Sequence, residues 1–272
     1  MFRARVITLL ILTTLRISRK LVVPAKLFLR WRHKRRQQRL APIPSAIRLK
    51  TGKVKTLDEF VDACEKRYKH NAYVDSLIDY HRNAPASKEA MIEALYDYLG
   101  FDFKGKSMLD LGPGTGESLD VARRRGATIT DFININPFEV VYNELKGHRG
   151  YCFSYTISPG LSRLPLRKYD FILSKGSLNS DEMNRRTVGL DLFDALMGKL
   201  MAFASGVVVI CPTFDEGTLV INGARHICQD PQKFKRSFFA TTLIDMGFEA
   251  CIIPGFNEPI ARFPFTFIKR LA

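Results

Sequence analysis

Residues 107–116 read Ser-Met-Leu-Asp-Leu-Gly-Pro-Gly-Thr-Gly, a short apolar run followed by glycines at alternate positions. The run predicts a β-strand, and the glycines predict a sharp turn into a helix that begins at Glu117. A strand that turns through glycines into a helix brings bare backbone N–H groups close to a ligand. Asp110 interrupts the apolar run two residues before the first glycine, so a carboxylate is placed beside this turn.

The spacing of Gly112, Gly114 and Gly116 distinguishes the turn from the dinucleotide fingerprint G-x-G-x-x-G, whose third glycine comes one residue later. That fingerprint cradles a diphosphate, whereas an acid such as Asp110 beside the turn favours a cation. The combination resembles the first motif of class I S-adenosylmethionine-dependent methyltransferases. The resemblance implies that these four residues bind the methionine end of S-adenosylmethionine, which carries an ammonium group and a sulfonium.

Strand-like and helix-like runs alternate from residue 106 onward. The candidate strands are residues 107–111, 128–133, 151–155, 169–174, 206–210, 249–254 and 264–270, and the candidate helices are residues 117–125, 138–145, 181–203 and 231–246. Strands separated by helices predict an α/β fold, a mostly parallel, doubly wound sheet with helices on both faces. The last two strands have no helix between them, so the final strand should be antiparallel. The whole resembles the seven-stranded, Rossmann-like methyltransferase fold.

A helical stretch, residues 56–100, precedes the predicted sheet. A capping-box pattern that starts at Thr56 opens it, and Gly100 ends it. It resembles the helical N-terminal cap of many class I methyltransferases, which covers the cofactor and helps to shape the substrate pocket. We therefore divide the chain into a basic N-terminal segment, residues 1–50, and a methyltransferase domain, residues 51–272.

Ligands in open α/β sheets bind at the carboxyl ends of the strands. The resemblance implies an acid after the second strand, which holds the ribose hydroxyls; the chain has Asn134 there, an amide that can still donate to and accept from hydroxyls. It also implies an acid after the third strand, against the adenine amine, but residues 154–162 contain none. After the fourth strand, Ser174 and Lys175 resemble the family segment that lines the cofactor. We therefore predict cofactor contacts from Asn134, Ser174 and Lys175.

The methyl acceptor is less clearly indicated. Residues 179–181 lack the N-P-P-Y type of signature that marks amide or base N-methylation in related enzymes. Residues 212–231 form a long, polar, glycine-containing loop after the fifth strand, which suits a pocket lid. His226 in that loop is the candidate general base for methyl transfer to a hydroxyl, whereas His148 is expected in a surface turn. These features favour O-methylation of a small-molecule, glycan or lipid-linked acceptor.

Two alternatives to this function stay open. One is RNA methylation guided by the basic N-terminus, and the other is a binding or assembly protein whose methyltransferase fold has lost activity. The missing acids after the second and third strands favour the second alternative. The five cysteines show no C-x-x-C spacing, so the sequence predicts neither a metal site nor a redox pair.

The positive charge of the chain is concentrated at its N-terminus. The formal net charge is +15, and 14 of the 42 Lys and Arg residues lie in residues 1–50, which contain no Asp or Glu. The other 222 residues carry 28 basic and 27 acidic side chains and are almost neutral. Any attraction to phosphate groups should therefore be a property of the N-terminal segment, which disfavours nucleic acid as a partner of the body.

The N-terminal segment combines this charge with apolar residues. Residues 6–15 are uncharged and mostly apolar, but ten residues are too few to span a bilayer. Phe28 and Trp31 lie among basic residues, a pattern that favours an anionic membrane surface. An organelle presequence, an RNA-binding arm and a disordered basic tail without a dedicated partner are the alternatives. We expect an intracellular protein that is peripherally bound to a membrane.

We predict that residues 1–40 attach the protein to anionic membranes without crossing them. Each basic residue near such a surface contributes about 1 kcal/mol, so several suffice for reversible attachment. In vesicle co-sedimentation the full chain should bind anionic vesicles, less so as salt rises, and a chain without residues 1–40 should remain in the supernatant. Equal partitioning of the two, or a preference for RNA at physiological salt, would contradict this prediction. A shortened chain recovered from an organelle would support the presequence.

Overall fold

The structure is a computed structural model of the 272-residue chain. It describes Ile47 and residues 54–83, 86–154, 161, 164–165, 167–179, 190–213, 218–221, 224–227, 238–253 and 266–271. The predicted membrane contact of residues 1–40 lies outside these ranges and stays a prediction. Within them, no helix is both long enough and apolar enough to cross a membrane.

A seven-stranded sheet forms the centre of the domain. The strands are β1 (Ser107–Leu111), β2 (Ile129–Asn134), β3 (Arg149–Cys152), β4 (Tyr169–Asn179), β5 (Ala204–Thr213), β6 (Thr218–Ile221), β7 (Ala224–Ile227), β8 (Glu249–Cys251) and β9 (Thr266–Arg270). Their order in the sheet is β3-β2-β1-β4-β5-β9-β8, and β6 and β7 form a separate hairpin. The five strands in the order β3-β2-β1-β4-β5 are parallel to one another. Strand β9 is antiparallel to both of its neighbours, β5 and β8. The predicted fold, with its antiparallel final strand, is confirmed.

Helices cover both faces of this sheet. They are α1 (Leu57–Arg67), α2 (Ala72–Asn83), α3 (Ala86–Leu99), α4 (Glu117–Arg124), α5 (Pro137–Leu145), α6 (Leu190–Ala202) and α7 (Phe238–Asp245). Helices α3, α4 and α5 pack on one face, and α6 and α7 pack on the other. In β1, Met108 belongs to the first layer and its neighbour Leu109 to the second. Because parallel strands are buried on both faces, the run Met-Leu-Asp-Leu is apolar at every position except Asp110.

Helices α1 and α2 form a small layer of their own outside α5. The Thr56 hydroxyl accepts a hydrogen bond from Glu59 N at 3.1 Å, and the Glu59 carboxylate accepts one from Thr56 N at 3.2 Å, so the predicted capping box is confirmed. Phe60 of α1 packs in one cluster with Phe138 of α5. Helix α3 lies instead against the sheet and ends at Gly100, where φ is +59°. Of the predicted helical cap, α1 and α2 thus form the layer on α5, together with Ile47, and α3 does not belong to this cluster.

Two predictions for the chain after β3 need correction. Strand β4 continues to Asn179, so Ser174 and Lys175 lie within a strand and not after it. The predicted loop over residues 212–231 contains the hairpin β6–β7, in which Ile221 is paired with Ala224. Asn-Gly between two β-prone runs, as at residues 222–223, is a strong signal for a two-residue hairpin turn. The loop prediction overlooked it.

His148 is not a surface-turn residue, and that prediction is wrong. Its side chain is completely buried, with Nε2 2.9 Å from Asp120 Oδ1 and Nδ1 2.8 Å from Thr130 Oγ1. Asp120 belongs to α4 and Thr130 to β2, so the partners come from elements far from His148 in sequence. The local Gly-His-Arg-Gly pattern predicts a turn but gives no sign of what covers the imidazole.

Candidate cofactor site

The glycine turn, residues 112–116, lies at the carboxyl end of β1 in the middle of the sheet. Gly112 N donates to Ile133 O of β2 at 2.7 Å. On the other side the Ser177 hydroxyl of β4 donates to Leu111 O. A Cβ atom on Gly112 would stand 2.6 Å from Ser177 Cβ, so β4 can approach this closely only because residue 112 has no side chain. The turn is thereby held between the two neighbouring strands.

Helix α5 packs against the second half of the glycine turn. Asn143 is completely buried, and its Nδ2 donates to Gly114 O at 2.7 Å and to Glu139 O at 3.0 Å. A Cβ atom on Gly116 would stand 2.0 Å from Asn143 Oδ1, so only glycine allows the helix and the turn to meet here. At Gly114, by contrast, a Cβ atom would meet no atom of the described residues within 4 Å. A ligand can therefore approach the backbone at Gly114.

Asp110 is buried at the end of β1, beside the glycine turn, with 1% of its surface exposed. Its Oδ2 accepts a hydrogen bond from the Ser118 hydroxyl, and its Oδ1 has no hydrogen-bond partner within the described ranges. Burial raises the pKa of Asp110 to about 7, although the Ser118 hydrogen bond and the charge of Lys175 act to lower it. The ionised form of a buried carboxylate with one unpaired oxygen is stabilised when a cation binds to that oxygen.

Glu117 and Lys175 act electrostatically on Asp110, and Lys88, from a third element, interacts with both of them. Glu117 is buried in the first turn of α4, Lys175 lies in β4, and Lys88 lies in α3 with its Nζ 3.5 Å from the centre of the Tyr80 ring. Burial lowers the pKa of Lys88, with the charge of Glu117 opposing and that of Lys175 reinforcing the effect. Glu117 and Lys175 thus lie close enough to influence both Asp110 and Lys88. Two acids and two lysines are complementary to the ammonium and the carboxylate of an amino acid.

Asn134 ends β2, as predicted, but its side chain already has partners within the protein. Its Nδ2 donates to Glu139 Oε2 at 2.7 Å, and its Oδ1 accepts from Asn136 N at 2.9 Å. Glu139 lies in the first turn of α5, where burial raises its pKa against the hydrogen bonds from Asn134 and Asn136. A carboxylate therefore stands beside the end of β2 after all, five residues later in sequence than the resemblance implies.

The structure brings most of the predicted site residues around the one glycine turn. Ser174 is completely buried, and its Oγ is 2.9 Å from Ser177 Oγ, so it positions the residue that contacts the turn. Lys175 is half-buried at the next position of β4. His226 lies on β7 opposite Leu219, but its side chain lies outside the described part of the chain, and its role as a base stays a prediction.

Four residues of the site were not indicated by the sequence patterns. Glu139 and Asn143 are four residues apart and share one face of α5, and this polar pair after the second strand was the available signal. Ile135, 43% exposed at the same edge of the sheet, offers an apolar surface. Lys88 left no signal, because only the packing of α3 against the sheet brings it near Glu117 and Lys175.

No protein-family model matches the sequence, and no curated protein is similar to it. Solved structures do share its architecture. Magnesium protoporphyrin IX methyltransferase from Synechocystis PCC 6803, with bound SAH, is 14% identical over 74% of this chain and 86% of its own, with a TM-score of 0.43. Ribosomal protein L11 methylase from Lactobacillus delbrueckii subsp. bulgaricus is 14% identical over 68% of this chain and 79% of its own, with a TM-score of 0.42.

A third structure is phosphoethanolamine N-methyltransferase 1 from Haemonchus contortus, in complex with phosphoethanolamine and S-adenosylhomocysteine. It is 12% identical over 79% of this chain but only 48% of its own, with a TM-score of 0.48. The sheet order β3-β2-β1-β4-β5-β9-β8, with β9 antiparallel, is the Rossmann-like arrangement that the sequence predicts. At these identities the likeness is one of fold, and the ligands of this protein have to be inferred from its own residues.

Asp110→Asn should stabilise the ligand-free protein above neutral pH. The folded protein holds the Asp110 proton with a pKa of about 7, above the ordinary value of 3.8, so its stability falls as pH rises from about 4 through 7. An amide carries no such cost. The free energy of unfolding in urea at pH 8 should therefore be higher in the variant by on the order of 1–4 kcal/mol, with little difference at pH 4.

Asp245→Asn is the control for this experiment, because Asp245 is an exposed acid at the end of α7. It should change the free energy of unfolding little at either pH. Equal stability of wild type and Asp110→Asn at pH 8 would contradict the prediction, because it would mean that the charge of Asp110 is compensated within the protein.

Proposed function

We propose that the protein binds S-adenosylmethionine at the glycine turn and transfers its methyl group to an oxygen acceptor. Asp110 supports this most directly, because one oxygen of its buried carboxylate has no partner among the described residues and the adjacent turn is open at Gly114. A ligand ammonium at this place would pair with a charge that the protein leaves unbalanced. A dinucleotide diphosphate would bring a second negative charge to the same place.

The charges around the turn fit the amino acid end of the cofactor. Asp110 and Glu117 supply negative charge for the ammonium group, and Lys88 and Lys175 supply positive charge for the carboxylate. The site is partly shielded from water, so such pairs are stronger than they would be on an open surface. Lys88 comes from the helix before β1 and Lys175 from β4, and both interact electrostatically with groups beside the turn.

The edge of the sheet at the end of β2 fits the nucleoside end of the cofactor. Glu139 is the acceptor for the ribose hydroxyls, because a carboxylate makes stronger hydrogen bonds to them than an amide does. Asn134, which donates to Glu139 at 2.7 Å, fixes the direction of that carboxylate. The half-exposed Ile135 offers an apolar surface for the face of the adenine.

The chemistry then depends mainly on positioning. Bound S-adenosylmethionine supplies an electrophilic sulfonium methyl for in-line displacement. The protein fixes the methionine end through Asp110 and the turn, and β4 carries Ser174 and Lys175 past the same turn. His226 on the hairpin after β5 is the proposed base that takes the proton of a hydroxyl acceptor. The acceptor class we propose is a small molecule, a glycan or a lipid-linked compound.

Gly114→Asn should abolish cofactor binding without unfolding the protein. Residue 114 has φ +62°, which asparagine tolerates better than most side chains, and the new side chain would fill the open space beside the turn. Gly100→Asn is the matched control, because Gly100 has φ +59° and equally open surroundings at the end of α3. Calorimetric titration with S-adenosylhomocysteine should show binding weakened by at least about a hundredfold in the first variant and unchanged in the second.

The result for wild type separates the competing functions. Failure of folded wild type to bind either S-adenosylmethionine or S-adenosylhomocysteine would overturn the proposal. Binding without turnover of any hydroxyl acceptor would favour a binding or assembly protein on this fold. Turnover of RNA that is lost when residues 1–50 are removed would favour RNA methylation.

Glu139→Ala and Asn134→Ala should each weaken cofactor binding by about 1–3 kcal/mol. The first removes the proposed acceptor of the ribose hydroxyls, and the second removes the amide that holds this acceptor in place. The double variant should be little worse than Glu139→Ala alone, since Asn134 acts through Glu139. Calorimetric titration of the four proteins measures this coupling. Additive losses would mean that Asn134 contacts the ribose independently, and unchanged affinity in both single variants would place the ribose elsewhere.

A further inference from the structure

Five side chains form a closed cluster beside the glycine turn. Asp120 and Arg123 come from α4, Thr130 from β2, Lys146 from the end of α5, and His148 from the residue before β3. The His148 side chain is completely buried, and those of Lys146 and Asp120 are 18% and 23% exposed. None of these residues belongs to the proposed cofactor contacts.

The cluster is connected to the backbone of the turn through Lys146. Its Nζ donates to Thr115 O at 2.7 Å and also pairs with the carboxylate of Asp120. Thr115 is buried between Gly114, where the turn is open to a ligand, and Gly116, which packs against Asn143. Asp120 Oδ1 is in turn 2.9 Å from His148 Nε2. Two side chains, those of Asp120 and Lys146, therefore connect His148 to the carbonyl group of Thr115.

The partners of His148 select one protonation state. Arg123 has only donors, and its NH2 group lies 2.6 Å from His148 Nδ1, so Nδ1 has to accept. Thr130 Oγ1 lies 2.8 Å from the same nitrogen and accepts from Arg123 NH2 at 2.9 Å. The imidazole is therefore neutral, with its proton on Nε2, and donates that proton to Asp120. A second proton on Nδ1 would face the guanidinium group of Arg123.

We propose that His148 is a positioning residue for the glycine turn and makes the turn sensitive to acid. In its neutral form His148 holds Asp120, which holds Lys146 against the carbonyl of Thr115. In its protonated form it is repelled by Arg123, the cluster opens, and Thr115 loses its support. The effect on cofactor affinity rests on the proposed function, whereas the effect on the turn does not.

The groups around His148 favour its neutral form. Burial lowers the pKa of His148, and the charges of Arg123 and Lys146 lower it further against the opposing influence of Asp120. Burial alone would raise the pKa of Asp120, but the hydrogen bond from His148 and the charge of Lys146 lower it, so Asp120 stays ionised. Because the folded pKa of His148 lies below its ordinary value of 6.5, the support is present above pH 6.5 and is lost as pH falls below it.

The test is amide hydrogen exchange of residues 112–118 in the full, ligand-free chain at pH 7.5 and pH 5.5, expressed as protection factors so that the intrinsic pH dependence is removed. Asp110 also titrates in this range, and its protonation stabilises the folded protein in wild type and in His148→Gln alike. The quantity compared is therefore the protection factor at pH 5.5 divided by that at pH 7.5, which should be about fivefold or more lower in wild type than in His148→Gln. His148→Gln keeps a donor near the Nε2 position but cannot titrate, so its protection should not fall at pH 5.5. His70→Gln, which removes an exposed histidine between α1 and α2, should behave like wild type.

Arg123→Gln provides a second variant that retains His148. Without the guanidinium group the protonated imidazole is better tolerated, so the midpoint of the His148 titration, followed by NMR of the ring, should move to higher pH. The same ratio of protection at pH 5.5 to protection at pH 7.5 in wild type and in His148→Gln would overturn the proposal. If His148→Gln does not fold, an unmoved midpoint in Arg123→Gln overturns it. Failure of the protein to bind S-adenosylhomocysteine would overturn the proposed function but not this inference.

Discussion

A carboxylate buried at the carboxyl end of the central strand sets the conditions for the elements around it. All five residues of β1 are buried, so the charge of Asp110 is removed from water. The Ser118 hydroxyl and the positive end of the α4 dipole offset part of this cost, because both lie just beyond the glycine turn. The rest remains uncompensated within the described residues, which is why the site is suited to a cationic ligand group.

Asp120 lies only ten residues further along the chain and shows the opposite behaviour. It is also partly buried, yet its pKa is lowered, because the His148 imidazole and the Lys146 ammonium group reach both of its oxygens. The difference between the two acids lies in their partners and not in their burial alone. Both oxygens of Asp120 have partners within the protein, whereas one oxygen of Asp110 has none among the described residues.

Helix α5 joins the parts of the molecule that have to act together. Asn143 and Glu139 share the face that meets the glycine turn and β2, and Phe138 packs with the cap helices on another side. Lys146, at the end of the same helix, supports the Thr115 carbonyl. A shift of α5 would therefore change the methionine and the ribose parts of the proposed site at once. Close packing at Gly116, where no side chain fits, makes such a shift costly.

The sequence by itself determined the sheet, its antiparallel final strand and the glycine turn with Asp110, because strands buried on both faces need continuous apolar runs and a tight turn needs glycine. It also placed Asn134 at the end of β2. Only the tertiary structure decided that Glu139 supplies the carboxylate there, that Lys88 lies near Glu117 and Lys175, and that His148 is buried. Local patterns record the preferences of a residue for strand, helix or turn. They do not record which distant side chains fold against it, and those neighbours set the burial and the pKa of each group.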